Sequence, residues 1–356
     1  SLKRYSNFYE VSLINSFGEW ENFKYENKEI KFIDLFLAKT INFKKNIFGF
    51  IKSRLFYLFV GFFSFKSLYN LIKKNKPDYL IIHLLTFIPL ILLIFFKFDT
   101  KFILRISGYP KLNFFRRTLW MLISKKINKV FCPTKETMEL LIKKKIFPEN
   151  KFLLLEDPVI EISKINELKK KSIPKILEGK KFILAIGRLS VQKNFQLLLN
   201  FFKLENEEDP NLYLVIAGEG EQRKDIENYI NKNNLNNKVI LLGYEKNIHN
   251  LFKKCYCYIL TSLWEDPGFV IIEAAANNAS IISSDCSSGP KEILSNGKGG
   301  ILFKSGSVDS LKENYVKFKS LNEKEIYLQK VCSKKVSANY TKFRHFKKLN
   351  SFFNEA

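Results

Sequence analysis

The sequence predicts an α/β fold made of two facing, doubly wound Rossmann-like domains, and three observations carry that reading. Short β-like apolar runs recur along the chain, longer stretches of helical pattern separate them, and a polar, proline-bearing segment divides them into two sets of six. A chain of 356 residues is long enough for two domains of ordinary size.

In the first half the runs are Phe8 to Ile14, Ile30 to Leu35, Tyr79 to Leu85, Phe102 to Ile106, Lys129 to Cys132 and Phe152 to Leu155. In the second they are Phe182 to Ile186, Leu212 to Ala217, Val239 to Leu242, Cys255 to Leu260, Ser280 to Ser283 and Gly300 to Phe303. Between them Glu156 to Lys181, rich in Lys, Glu and Ser and carrying Pro158 and Pro174, reads as the linker. The expected domains are residues 1–157 and 158–337.

Helical patterns fit between the runs. Asn113 to Ile127 mixes Phe114, Phe115, Leu119, Met121, Leu122 and Ile123 with Arg116, Arg117, Lys125 and Lys126. It reads either as a sheet-packing helix with a solvated basic face or as a membrane-surface helix using Trp120 at the interface. Phe43 to Lys74 is a second region of this kind. The longest uncharged stretch, Tyr79 to Phe96, is interrupted by His83, Thr86 and Pro89 and only just reaches the length of a membrane span, so neither a transmembrane segment nor a signal peptide is expected.

The formal net charge is +24, and most of it lies in residues 1–175, with 33 Lys/Arg against 15 Asp/Glu. Such an excess suits an anionic partner. Only 8 of the 59 basic residues are Arg, and the crowding of Lys, Asn, Ile and 35 Phe is also what an AT-biased genome produces. The five cysteines include no C-x-x-C pair and stand beside only three histidines, which argues against a disulfide framework or a zinc site and fits a reducing cytoplasm. Cys255 and Cys257 read as buried strand residues.

In an open α/β domain, ligands gather beyond the carboxyl ends of the strands, where glycine turns and helix N-termini face anionic groups. The second half places three such pieces there. The first run leads into Gly187-Arg188, with Lys193 five residues on, two cations able to neutralise a diphosphate. The next leads into Gly218-Glu219-Gly220. The fourth leads into Thr261 to Ala275, where Glu265 and Glu273 flank Pro267, Gly268, Phe269 and Val270. Glu273 falls among Ile271, Ile272, Ala274 and Ala275, so a hydroxyl or cationic partner is expected for it.

Together these pieces, with Leu242-Gly243-Tyr244 and Ser284 to Ile293, resemble in order and spacing the donor-binding domain of retaining glycosyltransferases of family 4, which have the GT-B fold. The resemblance implies a metal-independent enzyme without a bound cofactor, using a nucleotide sugar as co-substrate. It implies that Arg188 and Lys193 hold the diphosphate and that Glu265 meets the donor sugar, with Glu273 on the ribose hydroxyls. The amides of Gly268 to Val270 would face sugar and phosphate, and Gly187, Gly218, Glu219, Gly220 and Tyr244 would lie near the nucleotide.

The first half is similar to the family's acceptor domain more loosely. By analogy, an initial strand, a glycine-rich loop and most of a helix are expected to be missing before Ser1. Arg105, Ser107 and Gly108 fall on the acceptor side of the cleft, with Ser107 where many relatives have a His, so no general acid or base role near neutral pH is expected there. His83 matches a His often found near the cleft, its plain alternative being a satisfied strand-end His. Residues 338–356 are expected to form a helix crossing back onto the first domain, beginning at Ala338.

The function these readings favour is transfer of a hexose or N-acetylhexosamine, from a UDP-sugar, to a glycan or lipid-linked acceptor in lipopolysaccharide or other surface polysaccharide synthesis. The basic first half would then rest on the cytoplasmic face of an anionic membrane. Another GT-B enzyme, such as a nucleotide-sugar epimerase or phosphorylase, is the alternative. A basic nucleic-acid-binding protein is a third reading, but the chain has no recognisable nucleic-acid module, so no nucleic-acid partner is expected.

Overall fold

The computed structural model describes residues 1–15, 30–35, 61, 64–83, 87–108, 110, 112–265 and 267–355. The first part of the Phe43 to Lys74 region, the end of the Tyr79 to Leu85 run, Tyr109 and Asp266 lie outside the described residues. The chain divides into two compact units. One comprises Ser1–Pro133, Thr137–Leu155 and Lys348–Ala356, and the other Thr134–Glu136 and Glu156–Lys347.

The first unit holds β1 (Ser12–Asn15), β2 (Lys31–Asp34), β3 (Tyr79–Ile82), β4 (Lys101–Arg105), β5 (Ile127–Cys132) and β6 (Phe152–Leu154). β1 and β2 pair in parallel, and the other four form a parallel sheet in the order β3-β4-β5-β6. Successive side chains of a strand point to opposite faces. Phe102 and Leu104 of β4 therefore enter one core, with Trp120, Ile123 and Leu141, while Ile103 enters another with Phe131 and Leu349. The second core is closed by the last turns of the C-terminal helix, where Phe352 and Phe353 meet the Tyr79 ring.

The second unit holds β7 (Lys181–Ile186), β8 (Leu212–Ala217), β9 (Val239–Gly243), β10 (Cys257–Leu260), β11 (Ile281–Ser284) and β12 (Ile301–Phe303). They form one parallel sheet in the order β12-β11-β10-β7-β8-β9. Its central strands are buried on both faces, as the covering helices of a parallel sheet demand. Ile183, Leu214 and Ile259 face Phe201, Phe202 and Tyr315 on one side. Leu184, Val215 and Leu260 face Ile271, Ile272 and Tyr340 on the other. The chain runs outward from β7 through β8 to β9, then returns to β10 on the opposite side of β7, which makes β7/β10 the topological switch point.

All twelve runs become strands, and the departures have local causes. The first begins only at Ser12, since Phe8 is exposed and does not pair. Cys255 is not a strand residue: it caps the helix His249–Lys254, and β10 starts at Cys257. The helix expected over Asn113 to Ile127 is Phe114–Ile123, because Ile127 already pairs with Phe102. Trp120 is buried against Phe147 rather than turned toward an interface. The segment read as a linker is folded, with a helix Ile162–Leu168 that buries Ile165 and a short turn Lys175–Leu177 that buries Leu177. The C-terminal helix does not begin at Ala338: Thr341 is extended and bridges Ile160, and the helix is Lys342–Glu355.

Candidate donor-binding site at the strand switch point

Two strand ends meet at the switch point, and their loops are sewn together. Beyond β7 a single turn, Val191–Lys193, precedes the helix Phe195–Glu208. Beyond β10 comes Thr261 to Glu265. Leu263 N–H donates to the Gln192 carbonyl at 2.8 Å, Gln192 Nε2 donates to the Trp264 carbonyl at 2.9 Å, and Thr261 Oγ1 donates to the Lys193 carbonyl at 2.9 Å. These bonds place the Lys193 side chain against Glu265, with Nζ 2.5 Å from Oε1. Ser262 Oγ donates to that oxygen at 2.5 Å, and the Glu265 side chain is only 4% exposed. A carboxylate so buried is tolerable because it is doubly bonded and paired.

The glycines permit the close approach of neighbouring turns. A Cβ at Gly187 would sit 3.2 Å from Lys193 Cε, and one at Gly218 would sit 1.9 Å from the Gly187 carbonyl oxygen. One at Gly220 would lie 2.2 Å from the Leu189 carbonyl oxygen, whose residue exchanges hydrogen bonds with this turn. Gly268, with φ +89, begins the helix Phe269–Ala276 in a left-handed conformation that glycine adopts without strain. The first N–H groups of that helix, from Phe269 and Val270, have no intrahelical acceptor. Pro267 faces Gly289, where a Cβ would be 1.8 Å from the Pro267 carbonyl oxygen.

A cavity of about 560 Å³ opens in the same unit, and Gly187, Arg188, Gly218, Glu219, Tyr244 and Glu273 are all in its wall. Lys193, Glu265, Gly220 and Pro267 to Val270 are not. Arg188 is exposed and makes no ion pair among the described residues. Glu219 is held by Arg223 one helical turn on, and Tyr244 stands largely exposed. The partner expected for Glu273 is missing: no described side chain bonds its carboxyl, and burial pushes its pKa up to about 7. An unpaired acid facing a cavity is free to bond a ligand.

The same wall carries groups that the sequence reading missed. His249 lies against Asn277, Nδ1 to Nδ2 2.9 Å, and the Asn277 amide also donates to the Glu273 carbonyl. Burial, and then nearby Lys164, lower the His249 pKa and favour the neutral ring. Glu161 and Lys342 pair at 2.5 Å across the wall. Only one signal was available for His249, its being one of three histidines.

In the first unit His83 follows β3 and Ser107 follows β4, and the parallel register brings them together, Ser107 Oγ 3.4 Å from His83 Nδ1. Arg105 is buried in β4, and Gly108 is half-buried in the following bend.

The profile of a family described as Glycosyl transferases group 1 matches residues 166–332, the part of the chain that holds the Lys193–Glu265 pair and most of the cavity wall. An uncharacterized glycosyltransferase of Methanocaldococcus jannaschii is 32% identical over 291 residues, 76% of this chain and 71% of that protein. The chain belongs to the group 1 glycosyl transferases. A relative from Campylobacter jejuni is named N-acetylgalactosamine-N,N'-diacetylbacillosaminyl-diphospho-undecaprenol 4-alpha-N-acetylgalactosaminyltransferase. It is 30% identical over 148 residues, 41% of this chain and 40% of its own length. The crystal structure of Anabaena HepE in complex with UDP and glucose matches with a TM-score of 0.67 at 14% identity, covering 94% of this chain and 89% of that one. At that identity the likeness establishes the fold, and this group 1 glycosyltransferase has the two Rossmann-like domains of the GT-B type.

Proposed function

We propose that the chain is a retaining, metal-independent glycosyltransferase of family 4 that moves a hexose or N-acetylhexosamine from a UDP-sugar to a glycan or lipid-linked acceptor. The observation that carries the reading is the Lys193–Glu265 pair at the switch point beside the Arg188-lined cavity. The nucleotide occupies the cavity, with Glu273 accepting from the ribose hydroxyls and the Arg188 guanidinium forking the diphosphate. Lys193, already fixed by Glu265 and close to Gly187, supplies the second positive charge. As the bond between the anomeric carbon and the diphosphate oxygen breaks, the electron pair goes to that oxygen, where both cations stabilise it. The acceptor hydroxyl bonds to the same carbon on the face being vacated and gives its proton to the departing phosphate, so the anomeric configuration is kept.

Two findings on similar proteins support the choice of substrates. HepE is similar in fold and was crystallised with UDP and glucose, and the Campylobacter relative is named for a diphospho-undecaprenol acceptor. The reading places the enzyme on the cytoplasmic face of a membrane, to which the basic first half turns; the five free cysteines fit that compartment. Among the described residues no helix is long and apolar enough to cross a membrane.

Calorimetric titration with UDP and with GDP tests the donor site. UDP should bind, GDP should bind more weakly, and an Arg188→Ala, Glu273→Ala double variant that keeps its thermal transition should bind neither. A folded parent that binds neither nucleotide overturns the proposal.

A further inference from the structure

We infer that the outward face of the helix Phe114–Ile123 is a docking surface for an anionic lipid bilayer. A surface helix normally turns one apolar stripe to the core and polar residues to water. This helix has two apolar faces. Trp120 and Ile123 are buried in the core, yet Phe114 is 78%, Phe115 81% and Leu122 65% exposed, and Met121 is also exposed. At 3.6 residues per turn these four residues share one side of the helix, opposite Trp120 and Ile123.

Charge identifies the occupant. Residues 100–135 contain nine Lys/Arg and no Asp or Glu. Arg117 and Lys125 flank the apolar face in the open, without an ion pair among the described residues. Rings able to enter the acyl boundary beside cations at phosphate level are the chemistry of an interfacial helix. A second copy of the chain would bring the same cations face to face across a two-fold axis, which disfavours it. At ten residues the helix lies in the interface and cannot span it.

The helix is formed before any contact with lipid. Asn113 caps it by accepting from the Arg116 N–H at 2.9 Å, and Lys126, just past its end, donates to the Leu93 and Ile94 carbonyls. Those carbonyls close the neighbouring helix Phe87–Phe95, which leaves its own Phe87 and Phe95 exposed. The inference supplies the membrane contact for the lipid-linked acceptor proposed above, and its evidence is the helix surface alone.

The test is co-sedimentation of the full chain with vesicles of phosphatidylcholine, with and without phosphatidylglycerol, in the absence of nucleotide and acceptor. Binding is expected to the phosphatidylglycerol vesicles only. A Phe114→Ser, Phe115→Ser variant should bind about tenfold more weakly or worse. An Arg117→Glu, Lys125→Glu variant should lose about fivefold for each cation removed. A charge-matched control in the second unit, Lys232→Glu with Lys298→Glu, should lose much less. Thermal melts and UDP titration of the variants establish that each is folded.

Failure of the parent to bind, unchanged binding by the phenylalanine variant, or an equal loss in the control overturns the inference. So does a parent that sediments as a dimer through this face without binding lipid. Lipid binding by a chain that does not bind UDP overturns the donor assignment and leaves this inference standing.

Discussion

Lys193 Nζ and the Ser262 hydroxyl both lie 2.5 Å from a single oxygen of Glu265, so one buried carboxylate closes the loops that follow two neighbouring strands. Removing one member of such a pair leaves a charge without its counterion in a dry place. Lys193→Met is expected to destabilise the protein by about 3 kcal/mol. Glu265→Gln should cost less, because the amide can still bond Ser262. The Lys193→Met, Glu265→Gln double variant should be more stable than the sum of the two losses predicts, a coupling that urea unfolding of all four proteins measures. Each variant should lose sugar transfer by about two orders of magnitude or more, since a charge at the leaving group is removed or displaced. Additive stability losses would mean that the pair is not coupled.

Glu273 gives the stability a dependence on pH. Its carboxyl is raised from 4.5 to about 7 by burial, so between those values the folded chain binds a proton that the unfolded chain has released. Stability from this group is complete below the unfolded value and is lost as pH rises through about 7. The gap corresponds to about 3 kcal/mol as an upper figure. Glu273→Gln should therefore unfold at higher urea concentration than the parent at pH 8 and at nearly the same concentration at pH 4.5. An advantage of equal size at both pH values would contradict this assignment.

Much of the fold was legible because strands buried on both faces appear as unbroken apolar runs; Leu212–Ala217 matches its run residue for residue. Hydrophobicity alone misled at Cys255 and left two readings open at Trp120. Cys255 lies in an apolar run but caps a helix, while Trp120 sits among cations in the sequence and turns inward in the fold. The site was legible as types of residue and not as partners. Lys193 and Glu265 meet because β10 returns beside β7, and strand order is a non-local property that local patterns do not encode. The same holds for Glu161 and Lys342, which pair from opposite ends of the second unit's sequence.

The glycine turns make a prediction that separates steric crowding from backbone strain. A methyl at Gly218 would meet the Gly187 carbonyl oxygen at 1.9 Å, so Gly218→Ala must push two strand ends apart and should cost more than 2 kcal/mol. Gly306 has φ +78 with nothing within 4 Å, and Gly306→Ala should cost only about 1 kcal/mol, the strain of a left-handed backbone. Urea midpoints rank the two. Of the two, only Gly218→Ala should weaken nucleotide binding, because Gly218 lies in the cavity wall and Gly306 does not.

Lys151 joins two elements of the first unit through a helix terminus. Its ammonium donates at 3.0 Å to the carbonyls of Ser124, which caps the helix that carries Phe114 and Phe115, and of Lys125, and at 2.5 Å to that of Ile127, the first residue of β5. The last carbonyls of a helix lack intrahelical donors and carry partial negative charge, so a cation there both completes hydrogen bonds and answers the dipole. Burial, and to a lesser degree nearby Lys129, depresses the Lys151 pKa. Lys151→Met keeps the side-chain length but supplies no donor, and it should cost about 1 to 2 kcal/mol by leaving carbonyls unsatisfied. Hydrogen exchange should rise first in the last turn of Phe114–Ile123, ahead of β4 and β5. Protection unchanged in that turn, with a lowered melting temperature, would place the loss elsewhere in the core and refute the capping role.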